Sequence, residues 1–246
     1  MDLDGKKILV TGGSTGIGRA TALQCAAGGA LVTVADVNQR DGEDCVRLIR
    51  ENGGHAWFVS GDVSSESDVR FLVTDAEGKM EGVNVLVTAA GIARDAQILV
   101  DELTTENWDQ VINVNLKGSF LSAKYVVPAM RRMQGGVIVL VASRAGVKSP
   151  SNMVGYTSSK GGVHGLGLTL EDGLSKDRIR VNVLCPGSID TPLKRRNFED
   201  NIRASGDASQ RHAMIDGLGD PNGVAQVLTF LVSDYADYVR GAVFTR

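Results

Sequence analysis

The chain of 246 residues is 43% hydrophobic and 22% charged, a globular composition with enough apolar side chain for a large core. With 26 Lys and Arg against 29 Asp and Glu, the net charge is −3 and no basic block stands out, which argues against nucleic acid or an anionic membrane as partner. Apolar runs such as 137–142 reach about six residues, where a membrane helix needs about 18. The N-terminal MDLDGKKILV has no long apolar region and does not read as a secretory signal. Three scattered cysteines, Cys25, Cys45 and Cys185, show no metal-ligand spacing and point to a reduced, cytoplasmic protein with no bound metal. Glycine is the unusual residue, 30 of 246, and marks tight turns and close backbone approaches.

In chain order, β-branched runs alternate with helical patterns. Strands are expected at 7–11, 31–35, 56–60, 83–87, 137–142 and 179–184, with a short last one near 242–245. Helices are expected at about 16–28, 38–52, 65–80, 104–132, 154–175 and 221–233. Start signals precede three of them: Ser64-Ser65, Thr104-Thr105, and Asp220 before Pro221. Several strands are apolar without alternation, as strands covered on both faces are, and repeated strand–helix alternation demands right-handed crossovers. The expected fold is α/β, one doubly wound parallel sheet with helices on both faces, forming a single domain over 1–246. The segment 191–215, charged and weakly periodic, breaks the rhythm after the sixth strand and is expected to cover a ligand cleft as a lid.

The first strand runs into Thr11-Gly-Gly-Ser-Thr-Gly-Ile-Gly18, and a helix follows. Gly12 permits the turn, Gly16 lets the backbone approach a pyrophosphate, and Gly18 lets helix and strand pack closely. Ser14, Thr15 and Ile17 complete the loop, and the helix N-terminus turns unpaired N–H groups toward the phosphates. Asp36 ends the second strand, eighteen residues after Gly18. A carboxylate there accepts the adenosine ribose hydroxyls and repels a 2′-phosphate, which favours NAD over NADP.

Tyr156 and Lys160 lie four residues apart at the start of a helix, so phenol and ammonium share a face. A phenol of pKa about 10 is a poor base at neutral pH, and a nearby ammonium lowers that value. Ser143, at the end of the fifth strand, reaches the same cleft and can hold a substrate oxygen.

Taken together, TGGSTGIG at 11–18, Asp62-Val63, Asn115 within NVNLKG, Ser143, Tyr156 with Lys160, and Pro186-Gly187 with Ile189 and Thr191 resemble the short-chain dehydrogenase/reductase family over residues 6–245. The resemblance implies a Rossmann-like domain that binds a nicotinamide dinucleotide. It implies Tyr156 as acid/base, Ser143 as orienter of the substrate oxygen, Lys160 on the nicotinamide ribose and tuning the tyrosine, and Asn115 supporting a proton relay. It also implies Asp62 and Val63 at the adenine, Ala89, Ala90 and Gly91 along the cofactor cleft, and Pro186, Gly187, Ile189 and Thr191 at the nicotinamide. Family members are commonly dimers or tetramers, so a homotetramer or homodimer is expected.

Two departures from the family pattern stand out. Thr88-Ala-Ala-Gly91 replaces the usual Asn-x-Ala-Gly, exchanging for a hydroxyl the amide that ties the central strands together. The chain ends at GAVFTR, without the aspartate-glycine-glycine segment that relatives usually carry beyond the last strand.

Position alone places Arg144, Ala145 and Met153, with Ser143 and Tyr156, at a substrate pocket. The run Lys194-Arg195-Arg196 faces either an anionic substrate or solvent. Arg131-Arg132 either ends a helix favourably or meets an acidic carrier. Cys185 reads as an inert buried thiol, and His55, His164 and His212 share no metal-ligand spacing. The expected activity is NAD(H)-dependent interconversion of a small secondary alcohol and its ketone. A 3-oxoacyl-thioester reductase and a non-catalytic NAD-binding sensor are the alternatives.

Overall fold

The computed structural model describes residues 1–96, 98–148, 151–205 and 216–245. Seven strands, β1 (Lys7–Thr11), β2 (Leu31–Asp36), β3 (His55–Ser60), β4 (Val85–Thr88), β5 (Gly136–Val141), β6 (Ile179–Cys185) and β7 (Gly241–Phe244), form one sheet in the order β3-β2-β1-β4-β5-β6-β7. Every pairing is parallel. The helices are α1 (Gly16–Ala27), α2 (Gln39–Glu51), α3 (Glu66–Met80), α4 (Thr105–Ile112), α5 (Gly118–Arg132), α6 (Val154–Leu174), α7 (Pro192–Ser205) and α8 (Pro221–Val232).

The strands bury both faces because successive side chains point to opposite sides. Val10, Val34, Val87 and Val139 join Leu228 and Leu231 of α8 in one core layer. Their neighbours Leu9, Leu86, Ile138 and Leu140 join Val126 and Met130 of α5 and Val163 of α6 in the other. Chain direction across the sheet reverses between β1 and β4, and a doubly wound sheet opens its ligand crevice at that switch point, beyond the strand carboxyl ends.

Helix starts follow the sequence closely. Asn38, Ser65, Thr104 and Asp220 each accept a first-turn backbone N–H with their side chains. The expected helix over 104–132 is instead interrupted, since a π-helical turn, Asn113–Lys117, separates α4 from α5. Such a turn inserts an extra residue and re-aims the side chains around it. Here it buries Asn115 completely. The expected lid contains an ordered helix, α7, opened by Pro192 at its first position and by Thr191 Oγ1 accepting the Lys194 N–H at 3.2 Å. The rest of that segment, 206–215 with His212, lies outside the described residues.

Arg131 and Arg132 occupy the last turn of α5 and are paired, with Asp177 at 2.7 Å and Glu77 at 2.7 Å respectively. Among the described residues, no helix is long and apolar enough to cross a membrane.

Candidate active site

A cavity of about 930 Å³ opens over the switch point. Its lining brings together residues from six places in the chain: Gly12 with Thr15 to Gly18, Asp36, Asp62-Val63, Ala89 to Gly91, Ser143 with Tyr156 and Lys160, and Pro186 to Ile189 with Thr191. Gly12 has φ +69°, and a Cβ there would stand 2.3 Å from the Ala90 backbone nitrogen. A Cβ on Gly18 would stand 2.1 Å from the Gly12 carbonyl oxygen. Glycine is what allows the loop to lie directly on the strand ends.

This site fits a dinucleotide on two observations. Helix α1 begins at the cavity with no side chain capping it, so its first-turn N–H groups are left for an anion, while α2, α3, α4 and α8 all carry side-chain caps. The Asp36 carboxylate sits on the lining, anchored by the Ser14 N–H at 3.1 Å and the Asn38 N–H at 3.0 Å, and retains lone pairs for ribose hydroxyls.

At the other end, Lys160 is 5% exposed and donates to the Val141 carbonyl at 2.7 Å. Its Nζ lies 6.0 Å from the Tyr156 ring centre. A Cβ on Gly91 would stand 3.6 Å from Lys160 Nζ and 3.4 Å from Asn115 Oδ1, so both side chains pack against the Gly91 backbone.

A sequence profile of the family described as short chain dehydrogenase matches residues 6–202. The chain belongs to the short-chain dehydrogenase family. It is 38% identical over 246 residues to the 3-oxoacyl-[acyl-carrier-protein] reductase of Thermotoga maritima, covering 99% of this chain and 96% of that one. It is 36% identical to the cyclohexanol dehydrogenase of an Acinetobacter species, over 97% and 92% of the two chains. Among solved structures, levodione reductase superposes with a TM-score of 0.90 at 28% identity, over 97% and 95% of the chains.

In this short-chain dehydrogenase most of the anticipated residues line one cavity, including Arg144, Ala145 and Met153. Two do not. Ser14 is 2% exposed and lies behind the loop, acting through its backbone N–H on Asp36. Asn115 is fully buried beneath the wall, where Oδ1 accepts the Ile92 N–H at 2.8 Å and Nδ2 donates to Ile92 O at 3.0 Å and Ser159 Oγ at 2.9 Å. These bonds tie the loop after β4 to α6.

The expected lysine-lowered tyrosine also needs revision. Burial holds the Tyr156 phenol above its ordinary range, with the nearby Asp95 charge adding to this and the Ser143 hydroxyl opposing it. Burial likewise pulls the Lys160 ammonium down to about 8. Desolvation disfavours both charged forms, so near neutral pH the phenol keeps its proton, and Lys160, still mostly charged there, gives its proton up toward about 8. Burial pushes the Cys185 thiol up to about 11, consistent with an inert side chain. The Thr88 hydroxyl is buried with no hydrogen-bond partner, so it does not replace the strand tie of the family amide.

Asp95 was not anticipated. It is 1% exposed, and its Oδ2 accepts the Gly155 N–H at 2.5 Å and the Tyr156 N–H at 3.1 Å. Met153, at the α6 N-cap, supplies no side-chain cap, so Asp95 performs that role from a loop 60 residues upstream. A Cβ on Gly155 would stand 3.3 Å from the same oxygen, so the bare glycine admits the carboxylate. No local signal marks such a contact in the sequence. Asp95→Ala is expected to lower kcat by roughly 10–100-fold by loosening the tyrosine's backbone. Asp95→Asn, which keeps an acceptor, should recover most of that loss. Wild-type kcat in the alanine variant, measured by steady-state kinetics, would remove this positioning role.

Proposed function

We propose that this enzyme interconverts a secondary alcohol and a ketone, using NAD(H), in the cytoplasm. The observation that carries the reading is one cavity shared by Ser143, Tyr156 and Lys160 with the uncapped N-terminus of α1 and Asp36. Bound there, a nicotinamide dinucleotide supplies or accepts the hydride. Ser143 Oγ holds the substrate oxygen, and the Tyr156 phenol gives it a proton in reduction or takes one in oxidation. Lys160, fixed on Val141 O, carries a readily lost proton beside the phenol. The cyclohexanol dehydrogenase among the relatives and the likeness to levodione reductase favour an alicyclic alcohol or ketone. Three buried free cysteines, without a disulfide among them, support a reducing compartment.

The 38% identity to an acyl-carrier-protein reductase favours a second reading, reduction of a 3-oxoacyl thioester. Internal pairing of Arg131 and Arg132 counts against their use as a carrier-docking patch.

The test is turnover of NAD⁺ and NADP⁺ with cyclic and open-chain secondary alcohols, and of the reduced cofactors with ketones and 3-oxoacyl thioesters. Turnover confined to thioesters would replace the first reading by the second. NAD⁺ is expected to be preferred. Asp36→Ala should lower the NAD⁺/NADP⁺ ratio of kcat/KM at least about tenfold, or about 1.4 kcal/mol, by removing charge repulsion and the ribose acceptor. A wild-type preference for NADP⁺ would overturn the assignment of Asp36.

A further inference from the structure

The two ends of the cavity carry opposite charge. Its lining carboxylates are Asp36, the last residue of β2, which accepts the Ser14 and Asn38 N–H groups, and Asp62, just past β3, which accepts from the Ser64 N–H and hydroxyl. Elsewhere the charged side chains on the lining are the cations Arg94, Arg144, Lys160 and Lys194, with the Asp95 carboxylate buried behind Tyr156. Arg144 follows Ser143 directly, and Lys194 lies in the first turn of α7. Neither forms an ion pair among the described residues, whereas Arg195, next in the same basic run, is held by Asp190 at 2.6 Å. Lys194 is half-buried with its ammonium 4.8 Å from the Phe198 ring centre, so it does not simply extend into solvent.

Beyond Pro192 and Leu193, the residues that α7 turns to the cavity are polar. Lys194, Asn197 and Asn201 follow the i, i+3, i+7 spacing of one helix face, and all three line the cavity. Asn197 is 7% exposed, and its Nδ2 donates to Met153 Sδ at 3.0 Å, fastening this face beside the segment that leads to Tyr156. A pocket selecting plain hydrocarbon rings has no use for a half-buried ammonium on its lining, since a charge left dry and unpaired is costly.

We propose that the substrate is an anionic alcohol or ketone, a hydroxy acid or keto acid, whose carboxylate is received by Lys194 and Arg144 while its hydroxyl or carbonyl faces Tyr156 and Ser143. This rests on the alcohol–ketone reading above and adds the charge. The cation pair selects between substrates of equal shape, because only the acid compensates the charges it meets.

The experiment compares hydroxy acids with their methyl esters, on cyclohexane and open-chain skeletons, with one phosphomonoester analogue. It measures kcat/KM and, by calorimetric titration into cofactor-saturated protein, Kd. The acid is expected to exceed its ester at least about tenfold in both, less so at high salt. Lys194→Gln should erase most of that preference, and Arg144→Gln should act in the same direction, with the cofactor Kd moved less than about threefold. Esters turned over as well as acids would overturn the proposal and leave the alcohol–ketone reading standing. Tight binding of acids without oxidation would support the anion site and remove the alcohol–ketone reading. A preference for the phosphomonoester would overturn the assignment of a carboxylate. A Lys194→Gln variant with weakened cofactor binding, and equal losses on acid and ester, would overturn the proposal by assigning Lys194 to the cofactor pyrophosphate.

Discussion

Tyr156→Phe is expected to reduce kcat by about 10³-fold, within the roughly 10²–10⁴-fold attributable to one acid–base group. The substitution removes one oxygen and leaves the ring that packs beside Lys160, so the dinucleotide Kd and the melting temperature should stay near wild type. The pH dependence gives a second readout. Burial holds the phenol above its ordinary range, so it is protonated at neutral pH. Reduction needs that proton and should run level through neutrality, then fall on the alkaline side. Oxidation needs the phenolate and should accelerate as pH rises, through the region near 8 where Lys160 loses its own proton. The residual activity of the phenylalanine variant should lose the limb that belongs to the phenol. Steady-state rates in both directions, from about neutrality to just past the ordinary tyrosine and lysine values of about 10, check this. A variant that retains more than about a tenth of wild-type kcat would remove Tyr156 from the chemistry.

Gly12→Ala should be nearly as damaging, at the binding step. The new Cβ meets the Ala90 backbone nitrogen at 2.3 Å, in a conformation of φ +69° that side chains rarely adopt. Neither the strand end nor the loop can yield without moving the cradle. Strain of about 1–3 kcal/mol is the usual cost of such backbone. At roughly 2–4 °C per kcal/mol, the melting temperature should fall several degrees. The loop shift should weaken dinucleotide binding about 100-fold, because a backbone seat displaced by an ångström no longer aims its N–H groups. Gly78→Ala is the matched control. Gly78 is an exposed position within α3 with nothing within 4 Å of an added Cβ, so alanine there should stabilise by about 0.5–1 kcal/mol and leave binding unchanged. Calorimetric titration with NAD⁺ and a thermal melt separate the two effects. Wild-type affinity in Gly12→Ala would contradict the cradle assignment.

Much of this was legible in the chain because its signals are local. Strand and helix periodicity, the caps at Ser65, Thr104 and Asp220, and the glycine run between β1 and α1 each act within a few residues. The π turn at Asn113–Lys117 was not legible, because a helical pattern reads alike whether one turn carries an extra residue or not. The lid was legible only as an excursion; that its first part is α7, with Lys194 inward and Arg195 on Asp190, depends on packing against Met153. Asn115 and Ser14 were read as site residues from their motifs, and the structure puts both behind the wall.

By itself, then, the order of residues determined the doubly wound sheet and the glycine turn between β1 and α1, and it singled out Ser143, Tyr156 and Lys160, which the fold brings to the same cavity, since each rests on short-range spacing and elementary backbone chemistry. Only the tertiary structure decided that Asp95 caps the helix of Tyr156 from 60 residues away. It also decided that burial acts on the Tyr156 and Lys160 protons, and that Arg144 and Lys194 share one cavity lining with Ser143 and Tyr156. Desolvation and long-range charge depend on what surrounds a group in space, which spacing along a chain does not encode.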